Sequence, residues 1–225
     1  MRYIKTSPPP LSKASERGVR NGRGEVLYLD QKRYRENYML VEKIRWTIED
    51  LELLPENEGT RYEIIDGELF VTRTPHFKHQ QTCGKIGGQL DAWSETSGLG
   101  EAITSPGVLF SESDNVIPDV VWVNKETLAL MLDEAGHLTG APELVIEVLS
   151  VSKEDQRRDK EAKLKLYSSR GVKEYWIADW RSPKLEVYRR EQGILKLAVT
   201  LFNDDILTSP LLPGFNCSVE KLFPK

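Results

Sequence analysis

The sequence has few cysteines and no long hydrophobic run, and both absences narrow the class of protein. Its two cysteines, Cys83 and Cys217, form no metal-binding spacing with each other, so we expect a reduced pair of small core residues. No apolar run approaches the roughly 18 residues that a transmembrane helix needs. The segment that begins Met1-Arg2-Tyr3 contains no secretory hydrophobic region. We therefore expect a cytoplasmic protein that does not act at a membrane.

Positive charge is also scarce outside the N-terminal region. Residues 1–45 contain eleven Lys and Arg against five Asp and Glu, whereas the other 180 residues contain 20 against 30. Residues 1–44 show no sustained periodicity and predict a basic, flexible extension, either solvated or touching a phosphate backbone. Residues 45–225 predict one domain. The acidity of this domain argues against a protein that coats nucleic acid non-specifically, because such affinity requires many phosphate contacts.

Hydrophobic periodicity predicts an α/β domain in which strands and helices alternate. The predicted helices cover residues 47–54, 76–93 and 152–169, with a short helix or loop at 127–135. The predicted strands cover residues 61–65, 68–71, 101–105, 107–111, 116–123, 142–150, 174–178, 184–189 and 195–201. Asp66-Gly67 is typical of a hairpin turn between the first two strands. The tail to Lys225 is predicted to be a loop with one last helical turn.

A carboxylate inside the most apolar predicted strand is the clearest functional indication. The strand from Pro142 to Ser150 reads P-E-L-V-I-E-V-L-S and contains Glu147 among aliphatic residues. Because burial of an unpaired carboxylate is costly, Glu147 requires a metal, a cation or a set of hydrogen bonds. Asp119 follows Pro118 in the preceding predicted strand, and consecutive strands are often neighbours in a sheet. Two carboxylates that converge there would hold one Mg²⁺ ion.

A cation is predicted on the helix that follows this strand. Asp159, Lys163 and Tyr167 recur every four residues and therefore share one helical face. The Lys163 ammonium would orient an attacking water or neutralise developing charge, and Asp159 and Tyr167 would support the site. Each feature alone has an ordinary explanation: Asp119 as a turn cap, the helical face as a solvated, salt-bridged face, and His79 as a structural histidine. Their combination with Glu147 favours a site for a divalent ion.

Six segments along the chain form an ordered set that resembles a known family. They are Y-E-I-I-D-G-E-L at 62–69, H-Q at 79–80, P-D-V-V at 118–121, P-E-L-V-I-E-V-L-S at 142–150, D-x-x-x-K-x-x-x-Y at 159–167 and G-V-x-E-Y-W at 171–176. This set resembles the Uma2 family, which is placed among the PD-(D/E)XK restriction-endonuclease-like folds, and the resemblance covers roughly residues 45–200. The resemblance implies an α/β domain with a central mixed β-sheet flanked by helices.

The resemblance also implies an activity and its residues. A metal-dependent endonuclease acting on DNA is expected, with Mg²⁺ or Mn²⁺ as cofactor and, by analogy with nucleases that cut both strands, a homodimer. Asp119 and Glu147 match the family's acidic metal ligands. Leu149 occupies the lysine position of the nominal superfamily motif, and Lys163 on the following helix matches the position to which the lysine has moved in Uma2-like sequences.

The resemblance also implies roles for Glu63 and His79. Glu63 matches the position of an additional metal ligand, and His79 that of a phosphate contact or supporting group. The segment Lys153–Lys173 carries eight Lys and Arg against four Asp and Glu, which provides a local basic rim for a nucleic acid.

One alternative is a catalytically weak or inactive nucleic-acid-binding or regulatory module, since a fold does not fix a function. The other is a hydrolase of a different phosphate ester.

Overall fold

The computed structural model describes residues 19–20, 26–27, 44–55 and 59–225. The chain divides into two units, residues 1–44 and residues 45–225. Within the first unit, the short strands β1 (Val19–Arg20) and β2 (Val26–Leu27) pair in antiparallel orientation. The remainder of the predicted basic extension lies outside the described residues, so its flexibility and its contacts stay predictions.

The second unit is built from twelve described strands and a small number of helices. The strands are β3 (Arg61–Ile65), β4 (Glu68–Thr72), β5 (Gly100–Thr104), β6 (Val108–Ser111), β7 (Asp114–Val116), β8 (Val120–Asn124), β9 (Leu144–Val148), β10 (Glu174–Asp179), β11 (Lys184–Glu191), β12 (Ile194–Phe202), β13 (Ile206–Thr208) and β14 (Asn216–Ser218). The helices are α1 (Ile48–Leu51), α2 (Phe77–Ser97), α3 (Lys125–Met131), α4 (Lys153–Arg157) and α5 (Leu164–Arg170), with a π-helix at Arg158–Lys163 between α4 and α5 and a 3₁₀ turn at Val219–Leu222. Within the described ranges, no helix combines the length and the apolar character needed to cross a membrane.

Six strands form the central sheet in the order β12-β11-β10-β9-β8-β5. β9 and β10 run parallel, and the other neighbouring strands run antiparallel, so the sheet is mixed as the sequence predicted. The helical segment from α4 to α5 connects the two parallel strands, because a parallel connection requires a crossover. Every residue of β9 is buried, which matches its continuous apolar run.

Side chains of β9 alternate between two cores, one on each face of the sheet. Leu144 and Ile146 belong to the core that contains Ile86 of α2. Val145 belongs to the core that contains Leu166 of α5. Helices therefore flank the central sheet on both faces, and the predicted α/β class with a central mixed sheet between helices is confirmed.

A second, four-stranded sheet has the order β4-β3-β7-β6. β3 and β4 form the predicted hairpin, in which Asp66 and Gly67 adopt positive φ angles of 50° and 71°. The single strand predicted at 116–123 is wrong. β7 ends at Val116 in this second sheet and β8 begins at Val120 in the central sheet. Pro118, which has no N–H to donate to a ladder, lies in the break and leaves Asp119 where the chain passes from one sheet to the other.

The tail of the domain is more ordered than the predicted loop. β13 and β14 pair in antiparallel orientation, with Leu207 opposite Cys217. Both side chains, together with Leu222 of the final 3₁₀ turn, are buried in the core that contains Ile86. The loop prediction was wrong because three-residue strands with one inward apolar residue show too short an alternation to detect. The predicted last helical turn corresponds to the 3₁₀ turn.

Two glycines provide a matched test of this packing. A Cβ atom on Gly100 of β5 would lie 2.3 Å from the carbonyl oxygen of Val123 and 2.5 Å from the Trp122 ring, whereas a Cβ on Gly88 of α2 would meet nothing within 4 Å. We expect Gly100→Ala to lower the free energy of unfolding by about 2 kcal/mol or more through overpacking. Gly88→Ala should raise it by about 1 kcal/mol through helix propensity. Urea denaturation of both variants tests this, and a Gly100→Ala protein as stable as wild type would contradict the strand pairing.

Candidate functional site

The strand register brings Asp119 and Glu147 next to each other. In the antiparallel pair of β8 and β9, Val120 lies opposite Ile146, the last pair of this ladder. Asp119 and Glu147 are the residues that follow this pair at the same end of the two strands. The main-chain N–H of Val148 donates a 2.8 Å hydrogen bond to Oδ2 of Asp119, which holds this carboxylate against β9. Asp119 is 8% exposed and Glu147 3% exposed. Two carboxylates therefore converge at the edge of a buried strand.

Lys163 provides the cation that the buried Glu147 requires. Its Nζ lies 2.8 Å from Oε1 of Glu147 and 2.9 Å from Oε1 of Glu63, and the side chain is 2% exposed. Tyr167 donates a 2.9 Å hydrogen bond to the same Oε1 of Glu147, and Oδ1 of Asp159 lies 3.9 Å from Nζ. The face formed by Asp159, Lys163 and Tyr167 therefore points into the protein, and the alternative of a solvated face is wrong.

Glu63 reaches this cluster from the second sheet. It lies on β3, is 3% exposed, and accepts a 2.9 Å hydrogen bond at Oε1 from the main-chain N–H of Ile117. Because Ile117 is two residues before Asp119, this hydrogen bond ties the break between β7 and β8 to Glu63. The two sheets and the helix that carries Lys163 thus meet at one cluster of charged side chains.

The helix changes its winding where it contacts the site. Arg158–Lys163 form a π-helix, and the main-chain carbonyl of Asp159 accepts a 3.0 Å hydrogen bond from the Tyr175 hydroxyl on β10. π-helical segments contain more residues per turn than an α-helix and occur frequently at functional sites. Here the wider turn contains Arg158, Asp159 and Lys163, and all three side chains are buried.

His79 contacts Asp119 from helix α2. Its Nε2 lies 3.2 Å from Oδ2 of Asp119, and its Nδ1 lies 3.5 Å from Sγ of Cys83, one helical turn further along. His79 is buried and also lines the cleft that contains Asp119 and Glu147. The structure therefore brings His79 to the predicted site through its contact with Asp119.

The two central carboxylates differ in their proton affinity. Burial raises the pKa of Glu147 to about 8, because neighbouring carboxylates oppose the lowering effect of Lys163. Burial acts on Asp119 in the same direction, but the hydrogen bonds from His79 and from the Val148 N–H hold its pKa below the ordinary value. Asp119 is therefore ionised near neutral pH.

Lys163 remains a cation in this environment. Its burial lowers the pKa of the ammonium, but the charges of Glu147, Glu63 and Asp159 outweigh that effect and raise it above its ordinary value. A lysine with a raised pKa keeps its proton near neutral pH, which argues against a role as general base. Its contribution is a fixed positive charge.

Three arginines that sequence reasoning did not single out line the same cleft: Arg61, Arg73 and Arg158. Arg158 is buried, and its Nη1 lies 3.9 Å from Oε2 of Glu63. Nη1 of Arg61 lies 3.9 Å from Oδ1 of Asp119. Guanidinium groups bind phosphate oxygens through paired donors, so the cleft combines carboxylates for a cation with arginines for an anion.

The oxygens that face the cleft fit a hard divalent ion. Among the described residues, Oδ1 of Asp119 and Oε2 of Glu147 accept no hydrogen bond, whereas their partner oxygens are engaged by protein donors. Both residues line the cleft. Carboxylate oxygens are preferred ligands of Mg²⁺ and Mn²⁺. The third predicted ligand, Glu63, uses Oε1 to contact Lys163 and the Ile117 N–H, so its metal role stays a prediction.

Comparison with known proteins assigns the chain to a family. Residues 48–220 match the model of the Uma2 family, described as "Putative restriction endonuclease". The fold resembles the crystal structure of "a putative nuclease belonging to DUF820" from Anabaena variabilis ATCC 29413, with 20% sequence identity, a TM-score of 0.62, and coverage of 79% of this chain and 97% of that chain. The type IIG restriction endonuclease BpuSI aligns over 64% of this chain and 14% of its own, with 13% identity and a TM-score of 0.36. No curated protein matches the sequence. The chain belongs to the Uma2 family of restriction-endonuclease-like proteins.

Proposed function

We propose that this protein is an endonuclease that hydrolyses DNA phosphodiester bonds with the aid of a divalent ion, Mg²⁺ or Mn²⁺. The observation that carries the proposal is the convergence of Asp119 and Glu147 in one cleft, with Asp119 held by the Val148 N–H and Nζ of Lys163 2.8 Å from Glu147. Two carboxylates and a fixed ammonium beside arginines match the needs of phosphodiester hydrolysis, in which negative charge on the phosphate must be offset. Membership of a family described as "Putative restriction endonuclease" supports DNA as the substrate.

Asp119 and Glu147 would hold the ion with the oxygens that face the cleft. A divalent ion in that position lowers the pKa of a bound water and offsets charge on a phosphoryl group. The protein positions both ligands through the oxygens that do not face the cleft. The Val148 N–H fixes Asp119, and Tyr167 and Lys163 fix Glu147.

Lys163 and the arginines act on the phosphate. Because Lys163 is held by two carboxylates, its ammonium has a fixed position, and a preorganised charge needs no rearrangement as the reaction proceeds. Arg61, Arg73 and Arg158 line the same cleft and would attract the DNA backbone to a domain whose overall charge is negative. His79 would maintain the orientation of Asp119, with which it is in contact.

Three finer properties accompany this proposal. A homodimer would allow both DNA strands to be cut, and analytical ultracentrifugation tests it. A cytoplasmic location and contact of the basic N-terminal extension with a phosphate backbone also stay predictions.

Removal of either carboxylate should abolish cleavage. We expect Asp119→Asn and Glu147→Gln each to reduce Mg²⁺- or Mn²⁺-dependent cleavage of plasmid and oligonucleotide DNA by about 100-fold or more, since each removes an oxygen needed to bind charge in the cleft. Chelation with EDTA should stop wild-type cleavage. Glu101→Gln, a change at an exposed carboxylate of β5, is the control and should retain full activity.

The remaining outcomes separate the alternatives. Cleavage that survives in both variants or in EDTA would contradict the assignment of the site. Calorimetry that detects metal binding without cleavage of any DNA form would favour another phosphate ester or RNA as substrate. Absence of both cleavage and metal binding would favour a nuclease fold retained as a binding module.

Loss of the buried ammonium should destabilise the metal-free protein. We expect Lys163→Met to lower the free energy of unfolding by about 3 kcal/mol or more, because it leaves Glu147 and Glu63 buried without their cation. Urea denaturation in EDTA measures this change. Lys165→Met, at an exposed position on the same helix, is the matched control and should change stability by less than about 0.5 kcal/mol. Equal effects of the two substitutions would show that the interaction of Lys163 with Glu147 and Glu63 does not stabilise the folded protein.

A further inference from the structure

Three potential metal ligands converge beside the proposed Mg²⁺ site, and one of them, Cys83, has no role in the proposed reaction. One ligand atom from each of His79, Cys83 and Asp119 lies within 4.8 Å of the other two. His79 and Cys83 are four residues apart on α2 and therefore project from adjacent turns, while Asp119 approaches from the start of β8. The three side chains are 5%, 5% and 8% exposed. The spacing of the two cysteines did not indicate this cluster, because the groups close to Cys83 are a histidine and a carboxylate and not the second cysteine.

We propose that His79, Cys83 and Asp119 form a second cation site, specific for a thiophilic ion such as Zn²⁺. Sulfur, imidazole nitrogen and one carboxylate oxygen are the ligands that Zn²⁺ takes, and three protein ligands leave a fourth position for water. Mg²⁺ prefers oxygen ligands and keeps much of its hydration shell, so a site that includes sulfur discriminates against it. The cation chemistry of this site thus differs from that of the carboxylate pair.

Two of the three ligands face the cleft, and metal binding at the third is chemically balanced. His79 and Asp119 line the cleft, whereas the Cys83 thiol lies behind them. Binding replaces the S–H bond of Cys83 with a sulfur–metal bond and releases the thiol proton to solvent, without any change in oxidation state. Nε2 of His79 contacts Oδ2 of Asp119 and Nδ1 contacts Sγ of Cys83, so the imidazole lies between the other two ligands.

Asp119 is shared between this site and the carboxylate pair. A Zn²⁺ ion held by Cys83, His79 and Asp119 would place two positive charges beside the carboxylate pair, where they would repel a second divalent ion. Zinc would therefore act as an inhibitor that competes with Mg²⁺ or Mn²⁺. This consequence rests on the proposed nuclease function, whereas zinc binding itself does not.

The second cysteine is a matched control. Cys217 is also buried and free, but it lies on β14, where its sulfur contacts Oε1 of Gln89 and the carbonyl oxygen of Ser218. It is absent from the convergent ligand set within the described residues. A metal–thiolate bond should therefore form at Cys83 and not at Cys217.

Cobalt titration of the full-length protein tests the proposal directly. Co²⁺ substitutes for Zn²⁺ and gives a thiolate-to-cobalt charge-transfer band in the near ultraviolet. We expect this band in wild type and in Cys217→Ser, its loss in Cys83→Ser, and its displacement by added Zn²⁺ but not by added Mg²⁺. A wild-type protein without the band, or a band lost in Cys217→Ser, would overturn the proposal.

The comparison does not depend on the folding of one variant or on nuclease activity. The spectra of wild type and Cys217→Ser decide the question even if Cys83→Ser fails to fold. In folded Cys83→Ser, competition with a chromophoric chelator should show a Zn²⁺ affinity lower by about 100-fold or more, since even the loss of an outer partner of a ligand costs 10–100-fold. Unchanged zinc affinity would contradict the zinc site. A cobalt band in a protein that does not cleave DNA would support the zinc site and contradict the proposed cleavage of DNA.

Discussion

The buried interaction of Lys163 with Glu147 and Glu63 is the constraint on which the rest of the domain depends. Buried charges are stable only when they are paired and hydrogen-bonded, so the protein must bring the ammonium and both carboxylates to one point. Glu147 comes from the central sheet, Glu63 from the second sheet and Lys163 from the crossover helix. The relative arrangement of these elements is thus coupled to one charge cluster, and the same cluster is available for chemistry.

The charge balance of the cleft explains why a cation and a phosphate would bind together. Among the buried side chains of the cleft, four carboxylates surround only two cations, Lys163 and Arg158, whereas Arg61 and Arg73 line the cleft closer to solvent. The excess favours an added divalent cation, and the arginines favour a phosphate next to it. Burial is the main cause of the raised pKa of Glu147, about 8, and the neighbouring carboxylates raise it further. This charge distribution supports a metal site on physical grounds alone, without reference to similar proteins.

The sequence predicted those features that depend on local rules. Glu147 was identified because a lone carboxylate in an apolar strand requires a partner, Lys163 because its spacing from Asp159 and Tyr167 defines one helical face, and the hairpin because Asp-Gly favours its turn. Arg158 was missed because it lies on the expected face only after the helix widens into a π-helix, which no α-helical period predicts. The separation of β7 from β8 depends on the pairing of β7 with the distant strand β3, which local patterns do not contain. The two strands of the terminal hairpin are three residues long, too short for an alternation to be detected.

Anomalous diffraction from crystals grown with Mn²⁺ tests the central claim most directly, because it locates the ion without any assumption about substrate. The account predicts an anomalous peak within bonding distance of Oδ1 of Asp119 and Oε2 of Glu147, with Lys163 still in contact with Glu147. A fully occupied peak elsewhere in the protein, or no peak at millimolar Mn²⁺ in a crystal that retains the cleft, would contradict the assignment of these two carboxylates as the metal site.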